Sequence, residues 1–323
     1  MNFKQILFRF SPYFGLLFVF ILFVILCPPA FYSFFNIKTI FTQTVIVGIA
    51  AMGATMVIIS GGIDLSVGSQ IALGTVVIAK VLNMSGLDGQ GSGQVSLLAA
   101  MLSIFACMAC GVITGLVISQ FRIVPFIVTL GMMQIARGVA KWLANEQTVA
   151  SPTNPMTSLM LVEPENEWLV LGASVWIMLI LVAILSIILK YTILGRYIFA
   201  IGSNEQTARL CGINISKYKI LIYMLSGVFT GIAAIMQFSN LTVGDPTAAN
   251  GMELDIIAAV VIGGGSLSGG EGSAVGSLIG ALMMAVLRNG CNMLGVPNYV
   301  QEIIIGLIIV GAVLIDKLKH RLR

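Results

Sequence analysis

This chain has 323 residues, of which 58% are hydrophobic and only 9% charged, with a mean hydropathy of +1.02. Soluble domains run near a quarter charged, so the composition excludes a water-soluble globular protein and places the chain in a membrane. The formal net charge of +4 comes with no basic patch interleaved with aromatics, so it is a topology signal and gives no support for a nucleic-acid partner.

A helix needs roughly 20 apolar residues to cross about 30 Å of hydrocarbon, and the length then allows about ten crossings. The first, at 11–27, follows Lys4 and Arg9 as the apolar part of a signal peptide would. No small-x-small cleavage site is present and Pro28-Pro29 come next, so it is read as an uncleaved span. Crossings at 40–60 and 66–82 follow, separated by Gly61-Gly62-Ile63-Asp64-Leu65-Ser66-Val67-Gly68-Ser69. Irregular backbone at membrane depth is tolerated only where protein or a water-filled cavity surrounds it. An ionisable residue there is a functional candidate. Gly61, Gly62, Asp64, Ser66 and Gly68 are therefore candidates for a gate or transport path. Asp64 has two readings that do not exclude each other. It is the N-cap of the helix running to Leu82, accepting backbone N–H groups, or it lines the path and pairs with a moving element at an inner gate.

Crossings at 95–119 and 124–143 come next. Cys107-x-x-Cys110 lies inside the first and reads as packing. The five cysteines (Cys27, Cys107, Cys110, Cys211, Cys291) form no framework, and the only histidine, His320, sits in the tail, which argues against a metal site or triad. The loop 145–167 is proline-dotted, carries Glu163, Glu165 and Glu167, and shows no fold of its own. It leads into the crossing 168–189 and then the hydrophilic segment 190–219. There Ser203 is placed to cap a short helix, with Glu205 in its first turn and Gly212 ending it past Cys211. A helix of that kind, with few bulky apolar residues and no basic stripe, fits a groove in a partner better than a membrane surface.

The crossings 220–238, 253–262, 273–288 and 299–315 complete the chain. A second break, Gly263-Gly264-Gly265-Ser266-Leu267-Ser268-Gly269-Gly270, matches residues 61–68 at five of eight positions. Paired glycine-interrupted segments point to a transport path, which adds Gly264, Ser266 and Ser268 to the gate or path candidates. Both breaks fall on one face, which does not fit a plain five-plus-five inverted repeat, so the similarity is read as local. Gln43, Thr44, Thr55, Gln134, Gln237, Asn240, Asn289 and Asn292 are further polar candidates; for each, interhelical hydrogen bonding is equally open.

Ten crossings put both termini on one side. Lys4, Arg9, Arg122, Lys190, Arg196, Arg209, Lys217, Lys219, Lys317, Lys319, Arg321 and Arg323 share that side, while only Lys38, Lys80, Arg137, Lys141 and Arg288 lie elsewhere. The positive-inside rule makes both termini cytoplasmic. The expected fold is an all-α polytopic bundle of about ten membrane helices, one transmembrane domain over 1–323 with a cytoplasmic segment at 190–219.

The chain resembles the inner-membrane permease subunits of bacterial monosaccharide ABC importers. Ser60 to Ser69, Leu194-Gly195-Arg196-Tyr197, Ile201-Gly202-Ser203-Asn204-Glu205 and Ala208-Arg209-Leu210-Cys211-Gly212-Ile213-Asn214 carry the resemblance. It continues through Glu253 to Gly264, Ser266 to Gly270, Asn289-Gly290 and Leu294-Gly295-Val296. It implies a homodimer with the sugar path near the dimer axis, a cytoplasmic ATP-binding subunit with two nucleotide-binding domains, and a soluble sugar-binding protein outside. Ribose or a related pentose or hexose is the implied cargo. ATP and Mg would be used by the partner, with no cofactor bound by this chain. The helix around Gly202, Ser203, Asn204, Glu205, Ala208, Arg209 and Gly212 would couple to the ATPase. No Gly-x-x-x-x-Gly-Lys-[Ser/Thr] loop occurs in these residues, so ATP is not bound here in the P-loop manner.

Two other functions compete. A stand-alone secondary carrier driven by protons would show carboxylates or histidine deep in its spans, and only Asp64 and Glu302 come into question. An intramembrane enzyme would need a nucleophile–base pair or metal cluster within the bundle, for which the sequence offers almost nothing.

Overall fold

A computed structural model describes residues 3–84, 93–163 and 170–321. Twelve α-helices make up most of it: α1 (Phe3–Leu26), α2 (Phe34–Ile59), α3 (Val67–Met84), α4 (Gly93–Phe121), α5 (Pro125–Ala144), α6 (Ala173–Tyr191), α7 (Ile193–Ser203), α8 (Glu205–Leu210), α9 (Ile215–Leu241), α10 (Met252–Ile262), α11 (Ala274–Met293) and α12 (Asn298–Arg321). Each expected crossing falls on one of these helices. Six of them (α2, α3, α4, α6, α9, α11) are long and apolar enough to cross a membrane, and the chain is a helical membrane protein. α10, with 11 residues, covers only about 16 Å at 1.5 Å per residue, half of a hydrocarbon core.

Several helices start where a side chain satisfies one of their first amides. Ser33 accepts from Asn36 N at 3.3 Å on α2, Asn214 from Lys217 N at 3.1 Å on α9, and Ser273 from Gly276 N at 3.0 Å on α11. Such caps pair donors that the helix itself leaves free. α2 is the central helix: from Val45 to Ile59 every residue except Val47 is buried. A helix apolar on all sides belongs in the core. α4 and α9 cross closely because Gly111 and Gly115 of one lie on the backbone of Tyr223 and Ile220, while Gly227 and Gly231 of the other lie on Cys107 and Ile104. Small residues four apart let two helix backbones approach in lipid, where no hydrophobic drive holds them together. Outward, Trp176, Ile180, Ile184 and Ile187 form an exposed apolar stripe on α6, and Ile303, Leu307, Val310 and Leu314 form one on α12.

The loop expected to have no fold of its own is partly structured. Its strand β1 (Val149–Ala150) pairs antiparallel with β2 (Val243–Gly244), Val149 opposite Gly244. Asn154 accepts the Met156 N–H at 3.1 Å and caps a one-turn helix over Pro155–Ser158. Glu165, Glu167, Trp168 and Arg323 lie outside the described residues, as do the side chains of Lys4, Arg9, Lys317, Lys319, His320 and Arg321.

Candidate functional site at the two glycine breaks

α2 and α10 end in the same backbone motif. After α2, Gly61 N–H donates to Ile58 O and Gly62 N–H to Val57 O, both at 2.9 Å. After α10, Gly264 N–H donates to Val261 O at 2.9 Å and Gly265 N–H to Val260 O at 2.8 Å. This pair of bonds closes a helix when the residue past the cap turns left-handed, which glycine does without steric cost. Gly61 has φ +81° and Gly264 has φ +93°. The backbone thus matches Gly61 to Gly264, one residue away from the sequence match of Gly61 to Gly263. A sequence comparison aligns glycines, whereas the structure aligns the single left-handed turn.

The two endings are joined. Gly270 N–H donates to Ile59 O at 2.8 Å, taking a carbonyl that the end of α2 leaves without a helical partner. The last turn of α7 lies on the same junction. A Cβ on Gly202 would collide with the Ile59 carbonyl and stand 2.7 Å from Gly270 N, and one on Gly270 would stand 3.2 Å from Ser203 Cα. Three segments distant in sequence therefore meet at one end of the bundle.

The short helix over this junction differs from expectation at its start. α7 runs through Gly202 to Ser203, so Ser203 is the last residue of a helix and caps nothing. Asn204 caps α8 instead, accepting Thr207 N–H at 2.9 Å. Ser203 is still in helical geometry, while Asn204 has the extended backbone (φ −159°) that a cap needs. Gly212 ends α8 as expected: at φ +83° it donates to Arg209 O, and Ile213 N–H donates to Ala208 O. Ala208 is buried with Ile201 and Ile215, fastening α8 to the start of α9. Glu205 receives Lys219 Nζ at 2.6 Å and Arg209 Nη2 at 3.3 Å. These half-exposed pairs set orientation more than stability.

A cavity of about 290 Å³ opens between this segment and the first break, lined by Ser60, Gly61, Gly202, Glu205, Lys219 and Tyr223 among others. The Tyr223 hydroxyl is buried, has no hydrogen-bond partner among the described residues, and points at Gly62, where a Cβ would stand 2.5 Å away. Nothing in the sequence singles out Tyr223, because the residue its hydroxyl packs against, Gly62, belongs to a remote turn.

Asp64 does not cap α3. Its Oδ1 accepts the Ser66 N–H at 2.9 Å and the Ser66 hydroxyl at 2.5 Å, and the Ser66 hydroxyl in turn accepts from Gln70 Nε2 at 2.7 Å. The carboxylate sits three residues before the first helical residue, Val67, so it reaches the turn and leaves the helical amides to others. It is buried, at 5% exposure.

The remaining candidates separate. Ser266 is buried in the second break, where its hydroxyl accepts Ser268 N–H at 3.3 Å, and Ser268 is exposed. Gly68 lies within α3 against Ala249 and Glu253 of the α10 side. Asn289 is far from the junction and exchanges hydrogen bonds with Asn36 at 2.9 and 3.1 Å. Thr55 meets Ser277 at 2.7 Å, and Thr44 bonds within its own helix at 2.8 Å. Gln134 and Asn240 are exposed and Gln237 is buried. Asn292 and Gln43 line a different cleft, of about 220 Å³. Cys107 is free and buried and donates to Gln70 O at 3.3 Å. Among the described residues no three His, Cys, Asp or Glu side chains gather as a metal site requires.

Comparison with known proteins gives this geometry a context. The model of a family described as the permease component of branched-chain amino acid transport systems matches residues 36–313. The ribose import permease protein of Escherichia coli is 40% identical over 293 residues, covering 90% of this chain and 88% of that one. That of Bacillus subtilis is 36% identical over 323 residues, 98% of this chain and 95% of that one. The L-arabinose transport system permease protein of Escherichia coli is 33% identical over 311 residues, covering 95% and 91%. No solved structure matches the chain. A family model over most of its length, and relatives matched almost end to end, mean that the chain belongs to this permease-component family and is a multi-pass membrane transport subunit.

Proposed function

We propose that this chain is the permease subunit of an ATP-driven importer in a bacterial inner membrane, carrying a monosaccharide by alternating access. The family model is named for amino acids, but the relatives matched end to end are named for ribose and L-arabinose, which favours a pentose or related hexose as cargo. The proposed topology has ten crossings, with α1, α5, α10 and α12 added to the six long apolar helices, and both termini cytoplasmic. The 190–219 segment, α7 and α8, then lies in the cytoplasm as the place where an ATP-binding subunit with two nucleotide-binding domains docks. ATP and Mg are used by that partner. A second copy of this chain and a soluble sugar-binding protein complete the assembly.

The observation that carries this reading is the seat of Gly202 and Ser203 on Ile59 and Gly270. A partner pulling on α8 moves α7, and α7 rests on backbone shared by α2 and the α10–α11 turn. Motion then reaches the core helix without a flexible linker. Coupling requires contacts that differ between inward- and outward-facing states, and the cavity beside Tyr223 leaves room for such a change. Gly61, Gly62, Asp64, Ser66, Gly264, Ser266 and Ser268 are proposed as inner-gate elements around this junction, and Gly68, packed against Ala249 and Glu253, as a path element away from it. Asn289 is proposed as an interhelical fastener.

The test is to purify the tagged chain from its native membrane and to assay ATP hydrolysis in liposomes. Recovery of an ATP-binding subunit, with hydrolysis stimulated by a sugar-loaded binding protein, is the expected result. Recovery of this chain alone, with uptake driven by a proton gradient, would instead establish a secondary carrier.

A further inference from the structure

The cleft of about 220 Å³ lies away from the junction, between α2, α10 and α11, and Gln43, Asp255, Arg288 and Asn292 supply its polar lining. At ~30 Å³ per water it has room for about seven waters, or for one sugar of five or six carbons. Counting 1.5 Å per residue from the junction, Asp255 lies ~10 Å, Arg288 ~21 Å and Gln43 ~24 Å along their helices, within the depth of a hydrocarbon core.

Arg288 Nη2 donates to Asp255 Oδ2 at 2.5 Å. The Asp255 side chain is 9% exposed, but that of Arg288 is 44% exposed in the single subunit. A guanidinium at this depth is seldom turned to lipid; it faces a bundle interior or a water-filled cavity. The face that carries it is therefore covered by a second copy or by water. Packing does not exhaust these groups. Among the described residues Arg288 makes that one bond, although a guanidinium carries five N–H donors. Among the described residues Asn292 Oδ1 accepts from Gln301 Nε2 at 2.8 Å while its amide hydrogens have no acceptor, and the Gln43 carboxamide has no hydrogen-bond partner. The cleft thus presents guanidinium and amide donors beside carboxylate and amide acceptors, over an apolar floor that includes Met284 and Ala285.

We infer that the Asp255–Arg288 cleft is a contact point for the hydroxyl groups of the transported monosaccharide. The inference rests on the importer reading above. Each sugar hydroxyl donates one hydrogen bond and accepts others, so neighbouring hydroxyls pair with a carboxylate and a guanidinium at once. The fixed pair orders both groups before the sugar arrives. The site holds the sugar weakly, because the guanidinium remains engaged by Asp255 and the cargo must leave.

The test uses the full chain assembled with its ATPase and binding protein in liposomes, with radiolabelled D-ribose, L-arabinose and D-fructose as probes. Wild-type liposomes that import none of the three overturn the importer reading and this inference with it. Where one is imported, Arg288→Gln and Asp255→Asn are expected to lower its uptake at least tenfold, with ATPase stimulation by the loaded binding protein kept within twofold. Uptake within twofold of wild type in both variants overturns the inference alone. A second measurement leaves the ion pair intact. With Cys211→Ser removing the exposed native thiol, Gln43→Cys and Asn292→Cys are treated with a membrane-impermeant cationic thiol reagent. Labelling slowed at least threefold by the imported sugar is expected. No labelling in any nucleotide state, or labelling indifferent to the sugar, overturns the inference.

Discussion

Gly270 donates its amide N–H to the carbonyl of Ile59 at 2.8 Å, and the same carbonyl lies under the α-carbon of Gly202. One atom at the end of the core helix thus touches both the second glycine break and the segment proposed to receive the ATPase. Gly202→Ala puts a methyl group into that carbonyl, and overpacking of this kind costs about 1–3 kcal/mol. The expected outcome is a lower thermal midpoint in detergent and loss of sugar-stimulated ATP hydrolysis. Gly212→Ala serves as the comparison, since a Cβ there meets open space and only the left-handed backbone is strained. It should lower stability by about 1 kcal/mol and spare coupling.

Asp64 and Ser66 make a second test. Asparagine at 64 retains an oxygen able to accept both Ser66 bonds, whereas alanine leaves a buried amide and hydroxyl short of a partner. Lost bonds of this kind cost about 1–3 kcal/mol each. Asp64→Asn should keep a near-native melting temperature and Asp64→Ala should lower it. If Asp64→Asn folds but does not transport, the negative charge itself serves the gate.

The charges on α8 predict an effect on coupling with little effect on stability. Glu205 is shared between Arg209 and Lys219, and exposed pairs are worth about 0–1 kcal/mol. Reversing both Glu205 and Arg209 should leave the permease folded, while the number of sugars imported per ATP hydrolysed falls several-fold. Unchanged stoichiometry would remove α8 from the coupling route.

Asn289 and Asn36 hold α11 to the start of α2 by two reciprocal bonds, and Asn36 also donates to Phe31 O at 2.8 Å. Asn289→Leu strands a buried carboxamide and should destabilise by about 1–3 kcal/mol. Transport by the surviving protein should show an unchanged KM, because the pair faces neighbouring helices. A raised KM in uptake assays would return Asn289 to the path.

Hydropathy placed the helices on which the expected crossings fall, since a run of apolar residues long enough to cross a bilayer has few other outcomes, but it gave no sign of α7. The left-handed turns at Gly61 and Gly212 were equally local, being set by glycine's freedom at a helix end. Which residue caps α8 was a local matter too, but Ser203 and Asn204 are both good caps, and only the extension of α7 through Ser203 decided between them. Long-range pairings were invisible in the sequence. The bond from Gly270 to Ile59 involves backbone atoms that every residue carries, and the Tyr223 hydroxyl meets the backbone of a distant turn. Asp255 and Arg288 are 33 positions apart and become neighbours only when α10 packs on α11. Hydropathy and local turn chemistry are enough to prescribe a membrane bundle with two interrupted helices and a short capped segment between spans. That both interruptions and that segment share one junction follows from packing, because their contacts depend on how closely glycine lets helices approach, and periodicity does not encode that.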